Sequence, residues 1–126
     1  MNLSNSQITI QTIAMPADTN ANGDIFGGWV VSQMDLAGGV LAKKISRGRA
    51  ATVAIHTMIF HQPVHVGDIF SCHVQLIKIG HTSMTIAVEA WTENSVTGDR
   101  QCVTEGTFVF VAIDEQGKPR QVPKQA

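Results

Sequence analysis

The segment Trp29-Val30-Val31-Ser32-Gln33-Met34-Asp35-Leu36-Ala37-Gly38-Gly39-Val40-Leu41-Ala42-Lys43-Lys44-Ile45-Ser46 decides how the rest of this chain folds. It has no proline, and Trp29, Val30, Val31, Met34, Leu36, Val40 and Leu41 run nearly all the way round a helix. A helix that is apolar on most sides belongs in an interior rather than on a surface. Lys43, Lys44, Arg47 and Gly48 close it: the cations suit the negative end of the helix dipole, and the glycine suits a C-terminal cap. One stripe differs. Gly28, Ser32, Asp35 and Gly39 are spaced by four, three and four residues and so share a face, which Gly38 widens. Small residues around a single acid let another backbone or a ligand come close. An interior carboxylate must be hydrogen-bonded or functional, so Asp35 fits a catalytic acid, a structural acid, a salt-bridge partner or a solvated residue on an exposed face.

Outward from the helix the chain reads as extended. Gln7–Ala14 alternates as a first strand and stops at Pro16, and a turn-forming run, Asp18 to Asp24, leads to Gly27-Gly28. Beyond the helix, Ala51–His61, Asp68–Ile79, Ser83–Glu93 and Gln101–Ile113 read as four strands. Their short connections favour antiparallel neighbours. The economical packing is α+β, one long central helix wrapped by an antiparallel sheet of about five strands. Residues 1–126 form a single domain, and 117–126 read as a loose C-terminal tail.

Composition narrows the function classes. At 126 residues with a net charge of -1 the chain has no basic field for nucleic acid or an anionic membrane. Ser32, Gln33 and Asp35 interrupt the longest apolar stretch well short of a membrane span, and Met1–Gln7 lacks the order of a signal peptide. Cys72 and Cys102 have no paired spacing and read as reduced thiols of a cytoplasmic protein. His56, His61 and His65 fall on a strand and a proline turn, with no His-Glu-x-x-His, so no metal site is expected. Neither a Gly-x-Ser-x-Gly elbow nor a Gly-x-Gly-x-x-Gly loop occurs, which argues against a serine hydrolase and a dinucleotide fold.

The helix start offers chemistry of its own. Gly23, Gly27 and Gly28 let the backbone approach a ligand, and the first helical N–H groups have no partner within the helix. Such a terminus can stabilise a developing oxyanion. Asp35 lies about two turns on, roughly 10 Å along the axis, so a dimer could bring the acid of one copy to the helix start of another.

Ala14-Met15-Pro16-Ala17-Asp18-Thr19-Asn20-Ala21-Asn22-Gly23-Asp24-Ile25-Phe26-Gly27-Gly28-Trp29, then Ser32-Gln33-Met34-Asp35, resembles the YciA-type bacterial acyl-CoA thioesterases. The likeness continues through Pro63-Val64, Val66-Gly67-Asp68, Val111-Ala112-Ile113-Asp114 and Gly117-Lys118-Pro119-Arg120. It implies a hot-dog fold, dimers whose sheets join side by side, often as a trimer of dimers, and cleavage of acyl-CoA to free acid and CoA without metal or organic cofactor. By this resemblance Asp35 carries the chemistry as base or nucleophile, and Phe26, Gly27 and Gly28 bind the thioester. Asp24 is either a second catalytic carboxylate or a helix cap; in related eukaryotic enzymes an Asn stands at its position. Candidates for CoA contacts are Asn20, Thr57, Met58, Ile59 and Phe60, the turn His81-Thr82-Ser83, and Arg120 with Arg47, Arg49 and Lys118. Two rivals stand beside the enzyme. A non-catalytic acyl-CoA sensor would keep the pocket without needing the acid. A hot-dog hydratase would need a histidine near the helix, and none occurs before Arg49.

Overall fold

The computed structural model describes residue 3 and residues 8–125. The elements run β1 (Ile8–Ile13), a 3-10 turn (Pro16–Asp18), α1 (Gly27–Ser46), β2 (Ala50–Phe60), β3 (Ile69–Ile79), β4 (Ser83–Glu93) and β5 (Arg100–Ala112). Gln7, expected to open β1, lies outside the described residues. The five strands make one antiparallel sheet in the order β1-β3-β4-β5-β2, and α1 packs across it. This is the hot-dog arrangement.

Alternation along the strands builds the core. Met84, Ile86, Val88 and Ala90 of β4 face α1, with Phe70 and Cys72 of β3 and Phe108 and Phe110 of β5 beside them, all buried. From the helix Val30, Met34, Ala37 and Ala42 fill this space, and Trp29 packs its ring 4.9 Å from that of Phe70. Gly38 sets how closely helix and sheet approach. A Cβ there would lie 2.9 Å from the Phe110 ring and 3.5 Å from Val88. Gly38→Val is therefore expected to destabilise the fold by about 1–3 kcal/mol through overpacking, read as a lower midpoint in urea with unchanged slope.

Three expectations are corrected. The helix is not buried all round in the single chain, since Leu36 and Val40 are exposed on the face away from the sheet. Its left-handed C-terminal residue is Arg47, at φ 55°, not Gly48. Gly48 serves space instead: a Cβ there would come within 2.8 Å of the Arg120 guanidinium. Finally, the tail is docked. Val122 is buried and donates its N–H to the His81 carbonyl at 2.9 Å, while Gln125 Nε2 donates to the Ile45 carbonyl at 3.1 Å. Carbonyls left over at the helix end need donors, and the tail supplies them.

Candidate active site

Asp35 sits half-buried in the middle of α1, facing β2. Its Oδ1 accepts a 2.6 Å hydrogen bond from Thr52 Oγ1 on β2. Oδ2 has no partner among the described residues and remains open for chemistry. Thr52 pairs with Phe110, and so points to the helix side of the sheet. The sequence reading missed it; the only signal was a hydroxyl among the small and β-branched residues that open the strand, Ala50 to Ile55. Thr52→Val is expected to lower kcat by about 10–100-fold with little change in KM, and Thr52→Ser to restore most of it, because the bond fixes the carboxylate's direction. Steady-state kinetics on one acyl-CoA checks both variants.

The helix begins at Gly27, two residues earlier than its apolar pattern alone suggests. Phe26 is the N-cap residue, and no side chain caps the terminus. The Phe26 carbonyl accepts from Trp29 N and Val30 N at 3.0 and 3.3 Å, and the Phe26 N–H donates to Asp18 O at 2.7 Å. Gly27 and Gly28 donate to no acceptor among the described residues. These two N–H groups are the free donors of the terminus. At position 28 a Cβ would meet the Phe26 ring at 2.7 Å, so a larger residue there displaces that exposed ring.

The loop before the helix is tied by Asn20, whose Oδ1 accepts from Asn22 N and Asp24 N at 2.9 and 3.2 Å. Asn20 is thus the organiser of the turn that delivers Gly27. Asp24 does not cap the helix. It stands before the N-cap with its carboxylate 3.4 Å from His65 Nδ1, both side chains substantially exposed.

The other sequence candidates are spread over three places. Phe60 is exposed and lays its ring against Gly27, with Cε1 3.7 Å from where a Cβ would be. Met58 packs into the core against Gly106. Thr57, in the left-handed region at φ 54°, lines a cleft with Ile77, Ala87, Glu89, Glu105 and Thr107 on the sheet face opposite the helix, away from Asp35. Ile59 pairs with Glu105 and also faces that side.

His81, Thr82 and Ser83 form the β3–β4 turn at the C-terminal end of α1, where the His81 and Thr82 carbonyls accept from Val122 N and Ala112 N. Arg120 lies at the same end. Its Nε and Nη2 donate to the carbonyls of Ile113 and Ser46, each at 2.9 Å, so its guanidinium holds the helix terminus. Lys43 and Lys44 in the last helical turn, Arg47 at its cap, and Arg49, Lys118 and Lys124 on the segments that bond to this end make it rich in cations.

Among the described residues no group of His, Cys, Asp and Glu could hold a metal ion, and no helix is long and apolar enough to cross a membrane. Burial pushes the Cys72 thiol up to about 12; burial, then the charges of Glu89 and Glu105, push Cys102 up to about 11. Both stay protonated near neutral pH and are poor nucleophiles.

A pair of free N–H donors at a helix start and a hydroxyl-oriented carboxylate further along thus share one helix. Residues 22–98 match the model of the thioesterase superfamily. The chain belongs to that family. It is 47% identical over 127 residues to the acyl-CoA thioester hydrolase YciA of Salmonella typhimurium, covering 98% of this chain and 96% of the relative. Its fold superposes on a hexameric thioesterase from Yersinia pestis with a TM-score of 0.92 at 50% identity, covering 98% of this chain and all of the other (100%). The same TM-score of 0.92, at 46% identity and with 95% and 88% of the two chains covered, relates it to a hexameric broad-specificity acyl-coenzyme A thioesterase solved as an aspartate-to-alanine mutant.

Proposed function

We infer that the chain hydrolyses acyl-CoA to free acid and CoA, at a site completed between two copies along the β2 edge. One observation carries the composite site. Asp35 is tied to Thr52 near one end of β2, while the helix start rests on Phe60 at its other end. Within one copy the acid and the donors are separated by seven to eight helical residues, roughly 10–12 Å along the axis, too far to act on one carbonyl.

β2 is an eleven-residue edge strand with Val53, Ile55, Ile59 and Phe60 all exposed. Long apolar edges are templates for pairing. A twofold copy of β2, paired antiparallel about His56, sets Thr52 opposite Phe60 of the second copy, because His56 is four residues from each. The Asp35 of one copy then meets the Gly27–Gly28 N–H groups of the other, twice per dimer. Three such dimers make the hexamer in this reading.

The chemistry follows from the parts. The thioester oxygen lies on the free N–H groups of Gly27 and Gly28, which stabilise the negative charge as the carbonyl carbon is attacked. Asp35 Oδ2 either takes a proton from a water, whose oxygen bonds to that carbon, or attacks the carbon itself to give an anhydride that water then opens. The C–S bond breaks, and the CoA thiolate takes up a proton. No cofactor enters. Asp24, beside the same loop with His65, is close enough in sequence to the donors to shape the thioester's surroundings. The cation-rich end of α1 lies about 18 Å beyond Asp35 and supplies countercharge for the CoA phosphates, with the His81-Thr82-Ser83 turn beside it.

The test is release of CoA trapped by a thiol reagent, for which the two protonated protein thiols leave a low background. Release from acyl-CoA without hydration of enoyl-CoA supports this reading. Tight binding without release would make the chain a sensor instead.

A further inference from the structure

An acyl chain has no room between helix and sheet in the centre of this fold: Met34, Met84, Ile86, Phe108 and Phe110 fill that layer. Leu36, which points outward, cannot line such a tunnel either. A crevice does open beside the helix start. It is about 250 Å³, and Gly27 forms part of its wall. Ile25, Val30 and Val64 make an apolar floor, each nearly inaccessible, and Phe60 stands at the mouth.

Backbone bonds hold these walls in place without a ligand. Ile25 N donates to Val64 O at 2.9 Å, and the N–H groups of His61 and Gln62 both reach Val103 O, at 2.7 and 3.2 Å. The far side is polar, with buried Thr104 and with His61, whose Nε2 is 3.7 Å from Glu105. An apolar chain gains by entering as far as the floor and loses by passing Thr104.

We propose that this crevice takes the acyl chain and that Ile25, Val30 and Val64 set its preferred length at medium chain. The proposal rests on the thioesterase reading, in which the carbonyl sits on Gly27 and Gly28. A dry enclosed cavity of about 150 Å³ holds benzene; the crevice here is larger but open at its mouth, so its apolar part admits on the order of eight carbons. Buried methylenes contribute up to about fourfold each in kcat/KM, the equivalent of about 0.8 kcal/mol. Methylenes beyond the floor have no apolar wall and contribute little.

The experiment measures kcat/KM for straight-chain acyl-CoAs from C2 to C16 on the oligomeric wild-type enzyme, Val30→Phe and Val64→Ala. Wild-type values should climb to about C8 and then level. Val30→Phe, which fills the floor, should lower the octanoyl-to-butyryl ratio at least 30-fold. Val64→Ala, which deepens it, should raise the decanoyl-to-octanoyl ratio several-fold and keeps the test open should the phenylalanine variant fail to fold. A wild-type profile that climbs steadily to C16, or unchanged ratios in folded variants, overturns the pocket while leaving the hydrolase intact. Absence of CoA release from every substrate overturns the hydrolase reading itself.

Discussion

Asp35→Asn is expected to lower CoA release by about 10³-fold or more while the protein keeps its fold, its oligomeric state and its affinity for CoA. The amide keeps the shape of the carboxylate, and one end of it can still bond to Thr52 Oγ1, which replaces the 2.6 Å contact. What it loses is the ability to take a proton or attack a carbon, and those steps are worth about 10²–10⁴-fold in general-base catalysis alone. The loss should fall in kcat rather than KM. Single-turnover release from one acyl-CoA, with CoA binding measured in parallel, checks it. A variant that still turns over within tenfold of wild type would remove Asp35 from the chemistry and leave it the structural role that its bond to β2 also allows.

A pair of charges on the β2 edge should be nearly as damaging from a distance. Val53→Asp with Ile59→Asp places two carboxylates on side chains that the single chain leaves 58% and 41% exposed, so the fold has no need of them. In a twofold interface each substitution counts twice, and like charges brought together cost several kcal/mol. The expected outcome is a folded monomer by sedimentation, with CoA release down at least 100-fold at micromolar protein, although Asp35, Thr52, Gly27 and Gly28 are untouched. A monomer that keeps full activity would show that one copy holds a complete site; an intact oligomer would place the interface elsewhere.

The helix was legible because its apolar content is strong and proline-free, β3 and β4 because they alternate, and β2 because it is rich in β-branched and aromatic residues. Its first turn was less so, since Gly27 and Gly28 carry no apolar signal and are poor helix formers. Arg47 takes the left-handed position expected of Gly48, and Gly48 instead lies against Arg120, a residue more than seventy positions away that no local pattern reveals. The docked tail was illegible for a similar reason. Gln125 and Arg120 look like solvated polar residues until the helix carbonyls they bond are placed beside them.

For the site, the sequence by itself determined a lone carboxylate on a small-residue face, glycines at the helix start, and a spacing too long for the two to meet in one chain. These are properties of composition and of the 1.5 Å rise per helical residue, and they do not depend on how the strands are ordered. Only the tertiary structure decided what surrounds them. Strand order made β2 an apolar edge, put Thr52 against Asp35 at one end of it and Phe60 against Gly27 at the other, and drew Val30, Ile25 and Val64 around one crevice. Contacts between residues 17 to 39 positions apart follow from strand pairing and helix placement, which are set by the whole core at once and leave no local mark on the residues that meet.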